Sequence, residues 1–418
     1  MRGRLPADPR VKLLFVHQNF PGQFLHIARH LADAGTHEIL FISEPNQNTL
    51  PGVRKAIYRP SRPASRSTHG NIRDLDAAMV RADAVAKTAG QFKGLGFTPD
   101  IIIGHHGWGE LLSLPDLWPG VPLLGYFEFF YRTSGLDVGF DPEFPTPVTQ
   151  FPQVRAKNAV NLLALALDQA GQTPTRFQRD TYPAWARPQI RLIPEGANLD
   201  LCKPNPAARR KICRIADISV SSRETLITYV ARGLEPYRGF HVLMRAIPAI
   251  LARHKNLRIA IVGADEPSYG PTPPGGSWRR VLAAELGAGI DPDRVHFLGR
   301  VDYDTFRALL QRSDLHLYLT YPFVASWSLR EALAMGCAVL GSDTAPVREF
   351  ITHGHNGLLV RFPDPAALAD AVHAALEDRN RLEALRANAR AGAEAALDMA
   401  QHIEAFSAEI ARLTGQPL

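Results

Sequence analysis

The chain has 418 residues, 45% hydrophobic and 21% charged, with a formal net charge of +6. That length calls for two or three domains, and the composition is that of a folded chain rather than a disordered or fibrous one. No apolar run approaches the roughly 18 to 20 residues of a membrane-spanning helix, and Met1 to Arg10 is polar and proline-containing, unlike a secretory leader.

The first half alternates short apolar runs with helical patterns, the signature of a parallel sheet covered by helices. Leu13 to Val16 reads as a buried strand. It leads through Asn19, Pro21 and Gly22 into a helix with the apolar face Phe24, Ile27, Ala28 and Leu31, ending near Gly35. Further strands are expected at Ile39 to Ile42, Ile101 to Ile103, Pro122 to Tyr126 and Ile190 to Ile193. Pro, Asn and Ala then interrupt the apolar runs near Pro204 to Ala208, placing a domain boundary there.

The pattern restarts with a strand at Leu226 to Val230, a helix at Gly239 to Arg253, and strands at Leu257 to Val262, Val295 to Leu298, Leu315 to Leu319, Ala338 to Gly341 and Leu358 to Val360. Pro267 to Trp278, rich in Pro and Gly, is a loop, and after Pro365 the chain is Ala-rich and helical to about residue 413. The expected class is α/β, with two Rossmann-like doubly wound domains facing a central cleft. Residues 1–205 would form the first domain and 206–390 the second. A helical segment, 391–418, would pack back on the first. In such sheets ligands bind outside the carboxyl ends of the strands.

Several motifs fall at those ends. Tyr321 to Gly336 follows a strand and opens a helix, so its backbone N–H groups and helix dipole suit a diphosphate, with Ser326, Trp327 and Ser328 at the helix start. Glu331, one turn in, has the chemistry to accept two ribose hydroxyls. Ser328 and Glu331 equally match a capping box, which would make both helix-start residues only. Arg232 to Gly239 follows another strand and carries two arginines, Arg232 and Arg238, whose forked guanidinium groups suit phosphate oxygens.

In the first half, Phe20-Pro21-Gly22-Gln23 is a strand-to-helix turn. His105 and His106 end a strand, followed by Trp108 and Glu110, and Glu128 sits in the aromatic stretch Tyr126 to Arg132. Asp302 and Asp304 form a D-x-D that reads best as a helix N-cap. Neither domain carries the glycine fingerprint of dinucleotide binding. Cys202, Cys213 and Cys337 lack the spacing of a zinc site or disulfide scaffold and are expected as reduced packing residues. The basic cluster Arg209, Arg210, Lys211 and Arg214 has no interleaved aromatics for base stacking and reads as a solvated face, not a nucleic-acid surface.

The run from Ser326 to Gly336, continuing through Gly341, Ser342, Asp343, Pro346, Glu349 and Asn356-Gly357-Leu358-Leu359, resembles the donor-binding region of family-4 glycosyltransferases. Arg232 to Gly239 resembles that family's phosphate-binding loop, with Arg238 where lysine is usual. The resemblance implies the GT-B fold, a nucleotide-diphosphate sugar as co-substrate with no other cofactor, transfer with retention, and no metal. It gives Glu331 the donor ribose and Arg232 and Arg238 the diphosphate. Gly22 lies at the glycine loop, and His105 or His106 stands near the donor sugar. The family's first motif glutamate, which contacts the sugar, falls at Phe323, a departure from the pattern. Trp108 and Glu128 are expected on the acceptor side; the acceptor itself, whether saccharide, lipid-linked or small molecule, is not legible, nor is the oligomeric state. The expected location is cytoplasmic, and the basic balance is compatible with a peripheral contact at the membrane inner face. A nucleotide-sugar epimerase of the same fold and a non-catalytic nucleotide-sugar binding protein stand as alternatives.

Overall fold

The computed structural model describes residues 11–418, so the reading of Met1 to Arg10 lies outside the described residues. The chain forms two compact units, the first comprising residues up to Val138, Pro145–Glu195 and Met399–Leu418, the second Gly139–Phe144 and Gly196–Asp398. No helix among the described residues is long and apolar enough to cross a membrane.

The first unit is built on a parallel sheet of seven strands: β1 (Lys12–Val16), β2 (Glu38–Ser43), β3 (Val53–Ile57), β4 (Ile101–His105), β5 (Leu123–Tyr126), β6 (Ala170–Thr173) and β7 (Ile190–Leu192), in the order β3-β2-β1-β4-β5-β6-β7. Strand β1 shows why a continuous apolar run is needed here. Leu13 and Phe15 enter the core on one face of the sheet, and Leu14 and Val16 enter the core on the other. A strand alternates its side chains with a period of two, so covering both faces demands apolar residues at every position.

In the second unit a two-stranded hairpin, β8 (Cys213–Ile215) and β9 (Ile218–Val220), precedes a parallel sheet of six strands. These are β10 (Thr225–Gly233), β11 (Leu257–Ala264), β12 (Val295–Gly299), β13 (Leu315–Tyr318), β14 (Val339–Ser342) and β15 (Leu358–Val360), in the order β12-β11-β10-β13-β14-β15. Both sheets therefore reverse direction between their first and fourth strands, β1 and β4 in one and β10 and β13 in the other. That reversal opens a crevice at the carboxyl ends of the central strands.

Two elements depart from the expected domain limits. The chain leaves the first unit between Glu195 and Gly196, ahead of Pro204 to Ala208. Ala197 and Cys202 are already buried in a core of the second unit with Leu329 and Leu333. The return to the first unit comes at the last helix, Met399–Thr414, whose Phe406 and Ile410 join the core of Phe15 and Phe24. Residues 391–396 belong to the preceding helix, Arg379–Ala396, in the second unit.

A short piece of the first half, Gly139–Phe144, also belongs to the second unit. Asp141 and His241, both buried, meet at 2.8 Å, and the Tyr321 hydroxyl donates to Asp141 at 3.0 Å. Glu143 takes a forked pair of bonds from Arg245, at 2.6 and 2.8 Å. Phe140 packs against Tyr321 and Phe362.

Sequence patterning missed β3 and β6. The first reads Val-Arg-Lys-Ala-Ile at a sheet edge with only Ala56 buried, and the second reads Ala-Gly-Gln-Thr. Gly125 on β5 illustrates how closely the sheet is packed: a Cβ there would lie 1.9 Å from His106 Nε2. Gly125→Ala should therefore lower stability by about 1–3 kcal/mol through overpacking, read as a shift of the urea midpoint without a change in slope. The double variant Gly125→Ala/His106→Ala should lose less than the sum of its parts, because the two sites share one volume.

Candidate active site

On the second unit, the residues expected to hold a donor gather at the crevice between β10 and β13. Arg232, next to last in β10, is exposed, and its side chain has no hydrogen-bond or ion-pair partner among the described residues. Gly233 follows because no Cβ fits there: it would lie 2.5 Å from the Glu266 carbonyl. Arg238 behaves oppositely. Its side chain is buried and donates to Thr320 Oγ1 at 2.8 Å and to the Val324 carbonyl at 3.1 Å. The guanidinium thus ties the turn after β10 to the loop after β13, and lies over the Tyr269 ring at 5.0 Å. Gly239 closes this turn at φ +67, where a Cβ would also strike Leu319 at 2.4 Å.

The loop after β13 leads into the helix Trp327–Ala334. Ser326 is its N-cap residue, but its side chain caps no N–H; its hydroxyl bonds Ser328 at 2.6 Å and Tyr318 at 3.2 Å. Hydroxyls and helix-start amides are thereby grouped at the crevice, with Trp327 and Ser328 half-buried beside them. The capping-box reading of Ser328 and Glu331 does not hold, since the helix begins one residue before Ser328. Glu331 instead accepts a 2.8 Å bond from the Tyr303 hydroxyl, which also contacts Cys202 Sγ at 3.2 Å. Burial raises the Glu331 carboxyl above its usual range, with the Tyr303 bond opposing.

Phe323, standing where the family's first glutamate falls, is buried and packs its ring edge-on against Tyr237 and Tyr269. The position is an aromatic packing site rather than a hydrogen-bonding one. Asp302 caps the helix Tyr303–Arg312 through the Thr305 N–H at 2.7 Å, and Asp304 pairs with Arg307, which accounts for the D-x-D as a helix start.

On the first unit the corresponding crevice lies between β1 and β4. Gly22 has φ +54, and a Cβ would lie 2.8 Å from His17 Nδ1, so glycine is required twice over. His105 Nδ1 accepts the Gly107 N–H at 2.9 Å, which sets Nε2 as the protonated nitrogen, 3.6 Å from Glu128 Oε2. Its ring stacks between Tyr126 and Trp108, and Trp108 is 38% exposed. His105, Glu128 and Trp108 are thus one cluster. His106 is not part of it: the side chain is buried behind Gly125 against Phe127, and burial pushes it down to about 3. His105 is the last residue of β4 and His106 the first of the 3-10 turn His106–Trp108, so the chain changes direction between them and the two side chains part, one to Trp108 and the other to Phe127.

Three residues went unassigned in the sequence reading. Glu235, fully buried, accepts the backbone N–H groups of Ser268, Tyr269 and Gly270, at 2.7 to 3.2 Å, and so pins the Pro- and Gly-rich loop beside the turn after β10. The only signal was a carboxylate inside an Arg-rich turn. His17, at the end of β1, meets His105 edge-on at 5.5 Å and is pushed down to about 3 by burial and then by His105. Glu110, fully buried, accepts a 2.5 Å bond from Tyr58 and is pushed up to about 7 by burial. Beside the Arg232–Leu234 turn lies a cavity of about 410 Å³, lined by Leu234, Gly263, Asp265, Glu266, Arg279 and Phe297, among others.

Known proteins place this arrangement. Residues 35–202 match the Glycosyl transferase family 4 group model and residues 215–392 the Glycosyl transferases group 1 model. A D-inositol 3-phosphate glycosyltransferase of Nocardia farcinica is 32% identical over 217 residues, which is 50% of this chain and 44% of that protein. The enzyme of the same name from Thermobispora bispora is 25% identical over 380 residues, covering 87% of this chain and 83% of that one. Among solved structures, sucrose-phosphate synthase from Thermosynechococcus elongatus superposes with a TM-score of 0.74 at 18% identity, over 97% of this chain and 100% of that one. Anabaena HepE, solved with UDP and glucose, superposes with a TM-score of 0.67 at 17% identity, over 96% and 100%. Two doubly wound sheets of one strand order, each with its candidate residues at the reversal, share the GT-B fold of these structures, and the matched family models make the chain a glycosyltransferase. Within that class the chain belongs to glycosyltransferase family 4.

Two outcomes follow from the buried groups. Glu235→Ala should cost about 1.5–3 kcal/mol, the worth of hydrogen bonds to a charged acceptor, and should make the 266–277 amides exchange faster in hydrogen-exchange measurements. Glu110 binds its proton more tightly folded than unfolded, so its stabilising contribution is full below its ordinary 4.5 and is lost as pH rises through about 7. Glu110→Gln should flatten that part of the melting-temperature profile. His17 and His106 act in the opposite sense, their contribution being full above 6.5 and lost as pH falls toward about 3.

Proposed function

We propose that the enzyme moves a sugar from a nucleotide-diphosphate sugar to a hydroxyl of a phosphorylated polyol or sugar, with retention and without a metal. The observation that carries the reading is the exposed, unpartnered Arg232 at the carboxyl end of β10, with the uncapped start of helix Trp327–Ala334 following the adjacent strand β13 and Glu331 one turn in. Arg232 and the helix-start amides would stabilise the charge that grows on the departing diphosphate. Glu331 would take the ribose hydroxyls, the Tyr303 hydroxyl holding its place until then. The acceptor oxygen would form its bond to the anomeric carbon on the face from which the diphosphate leaves, and its proton would pass to the departing phosphate oxygen. No protein nucleophile enters, and no cofactor beyond the nucleotide sugar. His105, held by Gly107 and facing Glu128, would orient the sugar or acceptor. Cytoplasmic location belongs to the same reading.

Support for the donor comes from HepE, solved with UDP and with UDP-glucose. Support for the acceptor class comes from relatives named for inositol 3-phosphate and fold neighbours named sucrose-phosphate synthase and UDP-forming trehalose-phosphate synthase.

Calorimetry with UDP, GDP and ADP tests the donor site. One of them, UDP first, should add roughly 2.7 kcal/mol of stability at about 100 times its dissociation constant. Arg232→Ala and Glu331→Ala should each weaken it about tenfold or more, as expected for a lost charge-assisted hydrogen bond. Absence of binding by all three would overturn the reading. Transfer from the matching nucleotide sugar to inositol or hexose phosphates, with NMR of the product anomer, tests acceptor and retention. A free donor returned unchanged in the absence of acceptor separates transfer from epimerisation.

A further inference from the structure

A cavity of about 590 Å³ lies at the amino ends of β10 and β13, where Glu224 and Thr225 open one strand and Arg312 and Asp314 precede the other. The strands are parallel, so this cavity and the donor loops lie at opposite edges of one sheet. Six arginines line it against three carboxylates, Glu224, Asp314 and Glu383. Each carboxylate is already engaged: Glu224 by Arg258, Asp314 by Arg312, and Glu383 by Arg386. Arg210, Arg223 and Arg379 are exposed, and their side chains have no partner among the described residues.

Two of the arginines are built into the wall. Arg312 is 1% exposed and Arg386 7% exposed. Arg312 is fixed by the carbonyls of Ser221 at 3.0 Å and Glu224 at 2.7 Å, and Arg386 by the carbonyls of Ser313 and Asp314. Each nevertheless keeps a buried Nε–H with no acceptor. The wall is therefore held by backbone carbonyls on one side of each guanidinium, and the three exposed, unpartnered arginines stand across the cavity opening with no carboxylate left to neutralise them. Burial, and then the like charge of Arg209, also push the Arg386 guanidinium below its usual range, a penalty that an anion relieves.

We propose that this cavity binds a small phosphate-bearing ligand, separate from the donor. Guanidinium forks match phosphate oxygens two at a time, and the volume is that of a small-molecule site. No aromatic side chain lines the cavity, so recognition would rest on phosphate rather than on ring stacking. Arg209 and Arg210, read from sequence as part of a solvated face, stand on its wall. The ligand is either a free phosphate ester or a phospholipid headgroup, and both present the same oxygens to the same arginines. Because β10 and β13 begin here and end at the donor loops, an occupant would act on the strands that position Arg232 and Thr320.

The test uses the full chain and two probes, pyrophosphate in solution and vesicles of phosphatidylglycerol compared with phosphatidylcholine. The variant is Arg223→Ala/Arg379→Ala, which removes two exposed side chains and should leave the circular dichroism spectrum and nucleoside diphosphate binding intact. Pyrophosphate should bind saturably, survive Arg232→Ala, and weaken on the order of tenfold or more in the double variant. Binding to phosphatidylglycerol vesicles alone, lost in the double variant, would assign the site to a headgroup. The proposal is overturned if neither probe binds, if binding ignores the double variant, or if Arg232→Ala abolishes it and so places the anion at the donor loops.

Discussion

The buried guanidinium of Arg238 is the constraint around which the donor side is organised. It reaches from the turn after β10 to Thr320 and the Val324 carbonyl in the loop after β13, the two segments that border the crevice. Burying an arginine is tolerated only when its donors are met, and here the loop that must be shaped supplies the acceptors. The Tyr229 hydroxyl bonds the Arg238 carbonyl at 2.7 Å, and Gly239 takes the positive φ that no side chain could share with Leu319. Both bonds leave one nitrogen, Nη1, while the plane of the guanidinium lies over the Tyr269 ring, a stacked contact that a lysine ammonium does not reproduce. The two arginines that the family resemblance assigns to one diphosphate therefore differ in setting. Arg238 holds the frame, and Arg232 is left unpartnered at its rim.

The same frame explains Phe323. Tyr237, Tyr269, Tyr321 and Phe323 form a continuous aromatic contact, with Glu235 fixing the loop that carries Tyr269. A carboxylate at position 323 would be desolvated among these rings, and the nearby Arg238 guanidinium is already bonded to Thr320 and the Val324 carbonyl. Phe323 is thus part of an aromatic wall that also takes in the 266–277 loop, where the family pattern has a carboxylate. At position 331 the chain keeps the carboxylate of the family pattern, bonded here to Tyr303.

Most of the fold was legible because central strands in a two-faced parallel sheet must be apolar throughout, as in β1, β4, β10 and β11. Edge and short strands escape that requirement, so Val53–Ile57 and Ala170–Thr173 carry no comparable mark. At the site, residue types and strand ends were readable while side-chain direction was not. His105 and His106 are equivalent as letters, yet one stacks beside Trp108 and the other fills the space left by Gly125. The Ser328 and Glu331 pair fitted a local rule, and a partner 28 positions away, Tyr303, decided the outcome. Long-range contacts of this kind leave no spacing to detect.

The Gly139–Phe144 segment has a consequence for how this chain can be divided. The backbone passes between the two units at 138/139, 144/145, 195/196 and 398/399. A fragment cut at any single point therefore carries away part of its neighbour's interior: a C-terminal piece would lack Asp141 under His241 and Tyr321, and an N-terminal piece would lack Phe406 and Ile410. Exchange of either unit with that of a related enzyme has to move discontinuous pieces of chain together, even though each unit has its own sheet.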